Sequence, residues 1–246
     1  MTVLDRAVVL PKLAFTTAWA MLDLGDPHPV LGTDLHHWMS DDVRRKLHEE
    51  TISLLAEHGL ARHDRLNPLW RATLRVISAP DREFYAWSGL RDGTQRASLI
   101  ALRDDEGVSL LSRDETVEVR PVRVKWPATS LYDTLPTVAG APIRTVTIPR
   151  TPDDEPPDPL ALAEPSNDRD YLAEIMSRPQ DAVHQLYTAR RDESGRRSRS
   201  LPITALDLTN EGRILTYLTE DDRITLTSGT PRTMIKTLND THTGLL

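Results

Sequence analysis

Apolar positions recur with a helical period in the segment that follows the first loop of the chain. Spacings of three and four residues are typical of an amphipathic helix with one buried face. These positions are Val43, Leu47, Thr51, Leu54, Leu55 and His58. Ser40 is a favourable N-cap, and Gly59 provides the left-handed residue that often ends a helix. The pattern therefore predicts a helix between Ser40 and Gly59, with its three leucines buried in the core.

Other apolar runs predict shorter elements on either side of this helix. Residues 8–24 combine a strand-like start with a helix-like continuation. Asn67 and Pro68 form a capping residue and a first helical position, and Pro80 ends the helix that they begin. From residue 83 onwards, short apolar runs separated by charged turns predict an antiparallel meander of strands.

The helix-plus-meander part of the chain occurs twice. Residues 67–119 and 166–226 both run through a helix, a Ser-x-Pro break, an aromatic strand, and strands joined by charged turns. Tyr85 of the first unit corresponds to Tyr187 of the second. Because helices and strands are grouped rather than alternating one by one, the fold class is α+β with antiparallel sheet. The repeat predicts two subdomains related by a pseudo-twofold axis.

The boundaries of these subdomains follow from a change in composition. Residues 150–168 hold five of the prolines among acidic residues and predict a surface linker. An N-terminal subdomain of residues 1–149 and a C-terminal subdomain of residues 169–246 would then lie on either side of it. Together they would form one domain.

Composition narrows the class of protein. The 246 residues carry a net charge of −7, contain no cysteine, and are 39% hydrophobic. The acidic balance disfavours a general nucleic-acid-binding role, and the lack of cysteine excludes disulfides and thiolate chemistry. Charged residues interrupt the apolar N-terminal run, and no stretch approaches the length of a membrane span. We expect a cytoplasmic protein that does not insert into membranes.

Candidate chemistry is sparse. Ser88-Gly89 is only part of a Gly-x-Ser-x-Gly nucleophile motif, and no phosphate-binding glycine loop is present. His48, His58 and His63 are candidate metal ligands, but no cysteine or zinc-protease spacing accompanies them, and this favours a solvated or capping role. The sequence thus predicts no catalytic residue, no metal site and no cofactor.

A basic cluster stands out against the acidic background. It comprises Arg190, Arg191, Arg196, Arg197 and Arg199. These arginines fit two roles: contact with a phosphate or an acidic protein face, or a solvated hairpin whose charges protect strand edges from aggregation.

Several motifs, in their order and spacing, carry a resemblance over nearly the whole chain. They lie at residues 32–33, 54–60, 69–80, 83–87, 187–192, 195–197 and 207–215. Together they resemble the EspG family, the cytosolic chaperones of type VII secretion in mycobacteria and related actinobacteria. The last motif is similar to a family turn in which an aspartate precedes a Gly-Arg pair.

The resemblance implies a fold, a function and a site. The fold would be two related subdomains around a central antiparallel sheet. The function would be non-catalytic: to hold the exposed tip of a helical PE–PPE heterodimer, keep it soluble and direct it to the secretion machinery. Partner contacts would lie on Trp87, Ser88, Leu90, Arg91 and Gln95.

The sequence repeat adds a symmetry-related second candidate for partner contact, the basic hairpin. Its residues are Arg191, Arg196, Arg197 and Arg199. Two alternative functions stay open at this point. One is an enzyme with a site between the halves, and the other is a regulatory or nucleic-acid-binding module that uses the arginine hairpin.

Overall fold

Helices lie on both faces of one long sheet in the computed structural model, which describes residues 3–32, 40–150 and 167–245. The helices are α1 Lys12–Met21, α2 Asp41–Glu57, α3 Pro68–Ser78, α4 Pro127–Tyr132, α5 Asn167–Met176 and α6 Pro231–Thr243, with a 3₁₀ turn at Pro29–Leu31. The first seven strands are β1 Val8–Pro11, β2 Ala61–Arg62, β3 Arg65–Leu66, β4 Arg82–Leu90, β5 Gln95–Arg103, β6 Glu106–Arg113 and β7 Thr116–Pro121. The others are β8 Val146–Pro149, β9 Gln180–Arg191, β10 Arg197–Arg199, β11 Ile203–Leu208, β12 Gly212–Leu218 and β13 Arg223–Ser228.

The main sheet is antiparallel throughout its named strands. Its order is β1-β7-β6-β5-β4-β9-β11-β12-β13-β8, and β10 also pairs with β9. Strands β2 and β3 form a separate small hairpin. The predicted α+β class with antiparallel sheet is confirmed. Among residues 3–32, 40–150 and 167–245, no helix has the length and apolar character needed to cross a bilayer.

Strands β4 and β9 form the centre of the sheet and join the two predicted repeats. Tyr85 lies directly opposite Tyr187 in this pair, and their rings stack with centroids 5.3 Å apart. Helix α3 precedes β4 and α5 precedes β9, and a meander runs outwards from each strand. This order agrees with a twofold axis through the tyrosine pair, although the superposition of the two halves stays a prediction. Strand β8, within the predicted first subdomain, pairs with β13 of the second half.

Side-chain alternation along the strands gives the sheet two distinct faces. We call the face that carries Tyr85 and Tyr187 the front face, and the opposite one, which carries Phe84, the back face. Helices α1, α2 and α3 cover the front of the first half, where Phe15, Leu55 and Trp70 belong to the same apolar core as Tyr85. Helix α5 packs on the front of the second half. Helices α4 and α6 pack on the back.

Helix α2 departs from its predicted burial. Leu55 is fully buried and Ile52 nearly so, but Leu47 and Leu54 are only half-buried and Val43 is 54% exposed. The prediction that all three leucines lie in the core is therefore wrong for two of them. The reason is geometric: only the last turns of α2 pack on the core, and its N-terminal half extends away from it.

The predicted linker is largely outside the described residues, which omit residues 151–166. Helix α5 begins at Asn167, which lies inside the predicted linker. The cap of α3 matches its prediction, since the side chain of Asn67 accepts a hydrogen bond from the backbone N–H of Trp70 at 2.7 Å.

Candidate partner-binding surface

The first predicted contact region is the tight hairpin between β4 and β5. The backbone N–H of Leu90 donates to the carbonyl of Thr94 at 2.9 Å, and Gly93 adopts a φ of +86° that favours glycine. Arg91 is exposed and forms an ion pair with Asp181 at 3.3 Å, which ties this hairpin to the start of β9. The hairpin is thus rigid and short, and it presents little apolar surface of its own.

An aromatic cluster lies behind this hairpin on the front face. The Trp87 ring packs edge-on against Tyr85 and Tyr187, with centroids 5.3 Å and 5.4 Å away. Tyr85 is buried, whereas Trp87 is only half-buried. Arg199 from β10 lies over the Tyr187 ring, 5.2 Å from its centroid. The structure therefore connects predicted contact residues from both repeats, Trp87 and Arg199, through one tyrosine.

The exposed part of this cluster continues along β9. Val183 is 37% exposed and lies opposite Gly89, which has no side chain to cover it. Gln185, opposite Trp87, is also exposed. We call Trp87, Val183, Gln185, Tyr187 and Arg199 the front patch. The patch occupies the part of the front face between α1–α3 and α5.

An open cavity of about 170 Å³ adjoins the front patch. Trp87 and Gln95 line it on the sheet side, and residues 29–32 line it on the other. Gln95, a predicted contact residue, is therefore next to the patch. Sequence reasoning did not identify Val183 and Gln185. No sequence signal marked them, because polar and apolar residues do not alternate over residues 182–186, although Val183 and Gln185 are exposed while Ala182, His184 and Leu186 are buried.

Arg197 of the basic hairpin, a predicted contact residue, binds the buried carboxylate of Glu83. Two nitrogens of Arg197 donate to the Glu83 carboxylate at 2.9 Å and 2.6 Å, and His28 Nε2 lies 3.2 Å from the same group. Glu83 is only 1% exposed. Burial alone would raise the pKa of Glu83, but hydrogen bonds from His28 and Arg197 and the charge of Arg197 lower it from 4.5 to about 2. Arg197 thus stabilises a buried carboxylate rather than standing free.

The other arginines of this hairpin differ in exposure. Arg191 is half-buried and donates from Nη1 to the carbonyl of Gly195 at 3.2 Å. Arg196 is exposed and lies near Asp192, with 3.7 Å between Nε and the carboxylate. In the β4·β9 pair, Arg190 lies opposite Arg82 and Ala182 opposite Leu90. The two predicted contact regions are therefore at opposite ends of the central strand pair.

Ser88, the last predicted contact residue, points to the back face and is buried. Its hydroxyl lies 2.8 Å from His184 Nδ1, and His184 Nε2 lies 3.1 Å from Asp207. Because an ionised Asp207 only accepts hydrogen bonds, Nε2 carries the proton and Nδ1 accepts from Ser88. These residue types match a hydrolase triad, but Ser88 is 5% exposed and His184 fully buried, whereas a nucleophile must meet its substrate. The arrangement is a structural network.

Asp207 and Arg213 complete this network. Both belong to residues 207–215, the last of the motifs that resemble the EspG family. Arg213 is fully buried, and its Nε and Nη2 donate to the two oxygens of Asp207 at 2.6 Å and 2.9 Å. Burial alone would raise the pKa of Asp207, but hydrogen bonds from Arg213 and His184 and the charge of Arg213 hold it below its ordinary value. At Gly212, φ is +102° and a Cβ would come within 2.6 Å of the Ala139 carbonyl. The motif therefore contains a buried ion pair, and its hairpin requires a glycine at position 212.

The three candidate histidines do not form a metal site among the described residues. Within residues 3–32, 40–150 and 167–245, no three imidazole or carboxylate groups are placed to hold a metal ion. His48 is exposed on α2, and His63 has a φ of +49° in the turn between β2 and β3.

Comparisons with known proteins agree with this architecture. The fold is similar to that of the Mycobacterium tuberculosis type VII secretion system chaperone EspG5, solved in complex with a PE25–PPE41 dimer. The two chains are 17% identical, the match covers 96% of each, and the TM-score is 0.70. No curated protein sequence matches the chain. The model of the EspG family matches residues 11–240, and the chain therefore belongs to the EspG family.

Proposed function

We propose that the chain is a non-catalytic cytoplasmic chaperone that binds the apolar tip of a helical PE–PPE-like heterodimer and directs it to a type VII secretion machinery. Membership of the EspG family is the observation that carries this proposal. The fold shared with EspG5, which was solved with its PE25–PPE41 dimer, supports it. The physical need is clear, since an exposed apolar tip on a helical bundle promotes aggregation until another surface covers it.

The front patch is the surface best suited to this role. Trp87 and Val183 offer exposed apolar area in a rigid sheet, and aromatic side chains are enriched in the centres of protein interfaces. Gln185 adds hydrogen-bonding capacity, and Arg199 gives the rim a positive charge. Ser88, which is buried, and Arg197, which is bound to Glu83, support this surface from within the fold.

Co-expression with a PE–PPE-like pair encoded in the same genome tests the proposal. We expect the pair to co-purify with the wild-type chain. Val183→Asp, which places a charge at an exposed position, should abolish co-purification at any salt concentration because it leaves a charge buried in the interface. Trp87→Asp should do the same.

Trp126→Asp is the matched control. Trp126 is 54% exposed but lies at the start of α4, which packs on the back face, so its substitution should leave binding intact. Melting temperatures of all variants show whether each one folds. Failure of the wild type to bind any such pair would contradict the function. Binding by a folded Val183→Asp variant would retain the function but contradict the assigned surface.

A further inference from the structure

Two arginines meet on the back face of the central strand pair without an ion-pair partner among the described residues. Arg82 of β4 lies directly opposite Arg190 of β9, and both are half-buried. Neither forms an ion pair or a side-chain hydrogen bond with any residue in the described part of the chain. Like charges directly opposite each other in an antiparallel pair destabilise a sheet. The native fold therefore maintains an unfavourable pair that no side chain among residues 3–32, 40–150 and 167–245 compensates by an ion pair.

A histidine from helix α6 lies beside this arginine pair. The ring of His242, in the last turn of α6, stacks on Phe84 with the ring centroids 4.8 Å apart. Phe84 follows Arg82 by two residues, so both side chains are on the back face. Nε2 of His242 is buried and has no hydrogen-bond partner in the part of the chain that the structure describes.

The charge state of His242 follows from these neighbours. Burial and then the charges of Arg82 and Arg190 lower the pKa of His242 from 6.5 to about 4. On α6 itself, Lys236 and Asp240 form an ion pair with each other. At neutral pH the imidazole is therefore uncharged and adds no third positive charge, but it retains one N–H that can donate.

A fourth polar group on this face also lacks a partner. Thr188 is fully buried, and its Oγ1 forms no hydrogen bond with any described residue. It precedes Arg190 by two residues on β9 and lies directly opposite Phe84. Buried polar atoms without a partner are rare in native proteins, and two of them beside an uncompensated arginine pair point to an absent ligand.

We propose that Arg82, Thr188, Arg190 and His242 form a binding site for a phosphate group. Guanidinium groups donate paired N–H bonds to phosphate oxygens, and the hydroxyl and the imidazole add one donor each. The donors come from three elements, β4, β9 and α6, and donors on separate elements suit a tetrahedral oxyanion better than a planar carboxylate. The site is separate from the front patch, so it does not depend on the proposed function.

Thermal melting of the full chain in inorganic phosphate, compared with chloride at equal ionic strength, tests the site. Phosphate binding to the native state should raise the wild-type melting temperature by about 3 °C or more. Arg82→Gln and Arg190→Gln should each reduce the affinity for phosphate at least about tenfold. Phosphate also stabilises proteins by exclusion from their surfaces, and that effect should be equal in all variants.

Arg103→Gln is the matched control, since it removes the same charge from an exposed position at the same end of the sheet. Its response to phosphate should equal that of the wild type. An equal rise in the wild type and in both site variants would overturn the proposal. Acetate that stabilises the wild type as well as phosphate does would overturn the assignment of a phosphate group.

The titration of His242 provides a second readout that general stabilisation does not affect. An anion between the two arginines would offset their charge and favour the imidazolium form. The pKa of His242, followed by NMR through its ring protons, should therefore rise from about 4 to about 5 or above when phosphate is added. An unchanged pKa at phosphate concentrations that raise the melting temperature would overturn the proposed site.

Discussion

Two polar connections hold β4 to the second half of the chain, one on each face and at opposite ends of the β4·β9 pair. On the back face, Ser88 contacts His184, which is bound in turn to the Asp207–Arg213 ion pair. On the front face, Glu83 of β4 binds Arg197, with His28 beside it. Each contains a buried carboxylate that pairs with an arginine, and each joins β4 to residues that are remote from it in sequence.

The two connections differ in their access to water. The Arg213 side chain is 0% exposed, whereas that of Arg197 is 31% exposed. Removal of one partner from a buried pair is costly because the other charge stays unsolvated, and water nearby reduces that cost. Two carboxylate–arginine pairs should therefore contribute differently to stability because one is more deeply buried than the other.

Arg213→Met should have the largest effect, because it leaves Asp207 buried without its main partner. We expect a loss of about 3–5 kcal/mol in the free energy of unfolding, measured with urea. The double variant Asp207→Leu with Arg213→Met should recover at least half of this loss, because it removes both charges. A single variant within about 1 kcal/mol of the wild type would show that the two connections do not differ as described.

Glu83→Gln should have a smaller effect that depends on pH. Arg197 can turn to solvent once the charge is lost, so we expect a loss of about 2 kcal/mol at pH 7. The pKa of Glu83 is lowered in the folded state to about 2 from 4.5. Its contribution is therefore fully present above pH 4.5 and disappears as the pH falls towards 2.

Urea unfolding of the wild type and Glu83→Gln at pH 7 and at pH 3 measures this dependence. The difference between the two proteins should be smaller at pH 3. Glu118→Gln, at a half-buried position on β7 with no ion-pair partner among the described residues, is the control. A difference that is equal at both pH values would mean that Glu83 does not titrate as its surroundings indicate.

Local patterns in the sequence were sufficient for much of the fold. The Asn67 cap of α3 and the charged turns of the meander depend on neighbouring residues, and both were predicted. The pairing of Tyr85 with Tyr187 joins residues about a hundred positions apart, and the sequence repeat was the only pattern that related these two residues. The partial exposure of Leu47 could not be predicted, because periodicity identifies the apolar face of a helix but not how far that helix packs on the core.

The site was less predictable than the fold for a related reason. Arg197 and Arg196 are adjacent and have the same charge, but only Arg197 reaches Glu83, which lies more than a hundred residues earlier in the chain. Asp207 and Arg213 belonged to a motif that resembled the EspG family, but the motif did not indicate what these two residues do. Their positions directly opposite each other in the β11·β12 hairpin, among apolar residues, were the signal for a buried pair.

Arg196→Gln should have the smallest effect on stability, and it distinguishes the exposed Arg196 of the basic hairpin from Arg197, which binds Glu83. Arg196 is exposed, and its interaction with Asp192 spans 3.7 Å, so its loss should change the free energy of unfolding by less than about 0.5 kcal/mol.

If the proposed partner has an acidic rim, the charge lost in Arg196→Gln should slow association at low salt and have little effect at high salt. Stopped-flow association at two salt concentrations measures this, with Arg103→Gln as the control for net charge. Equal slowing by both variants would assign the effect to overall charge, and a destabilised Arg196→Gln would mean that the hairpin relies on both arginines for its structure.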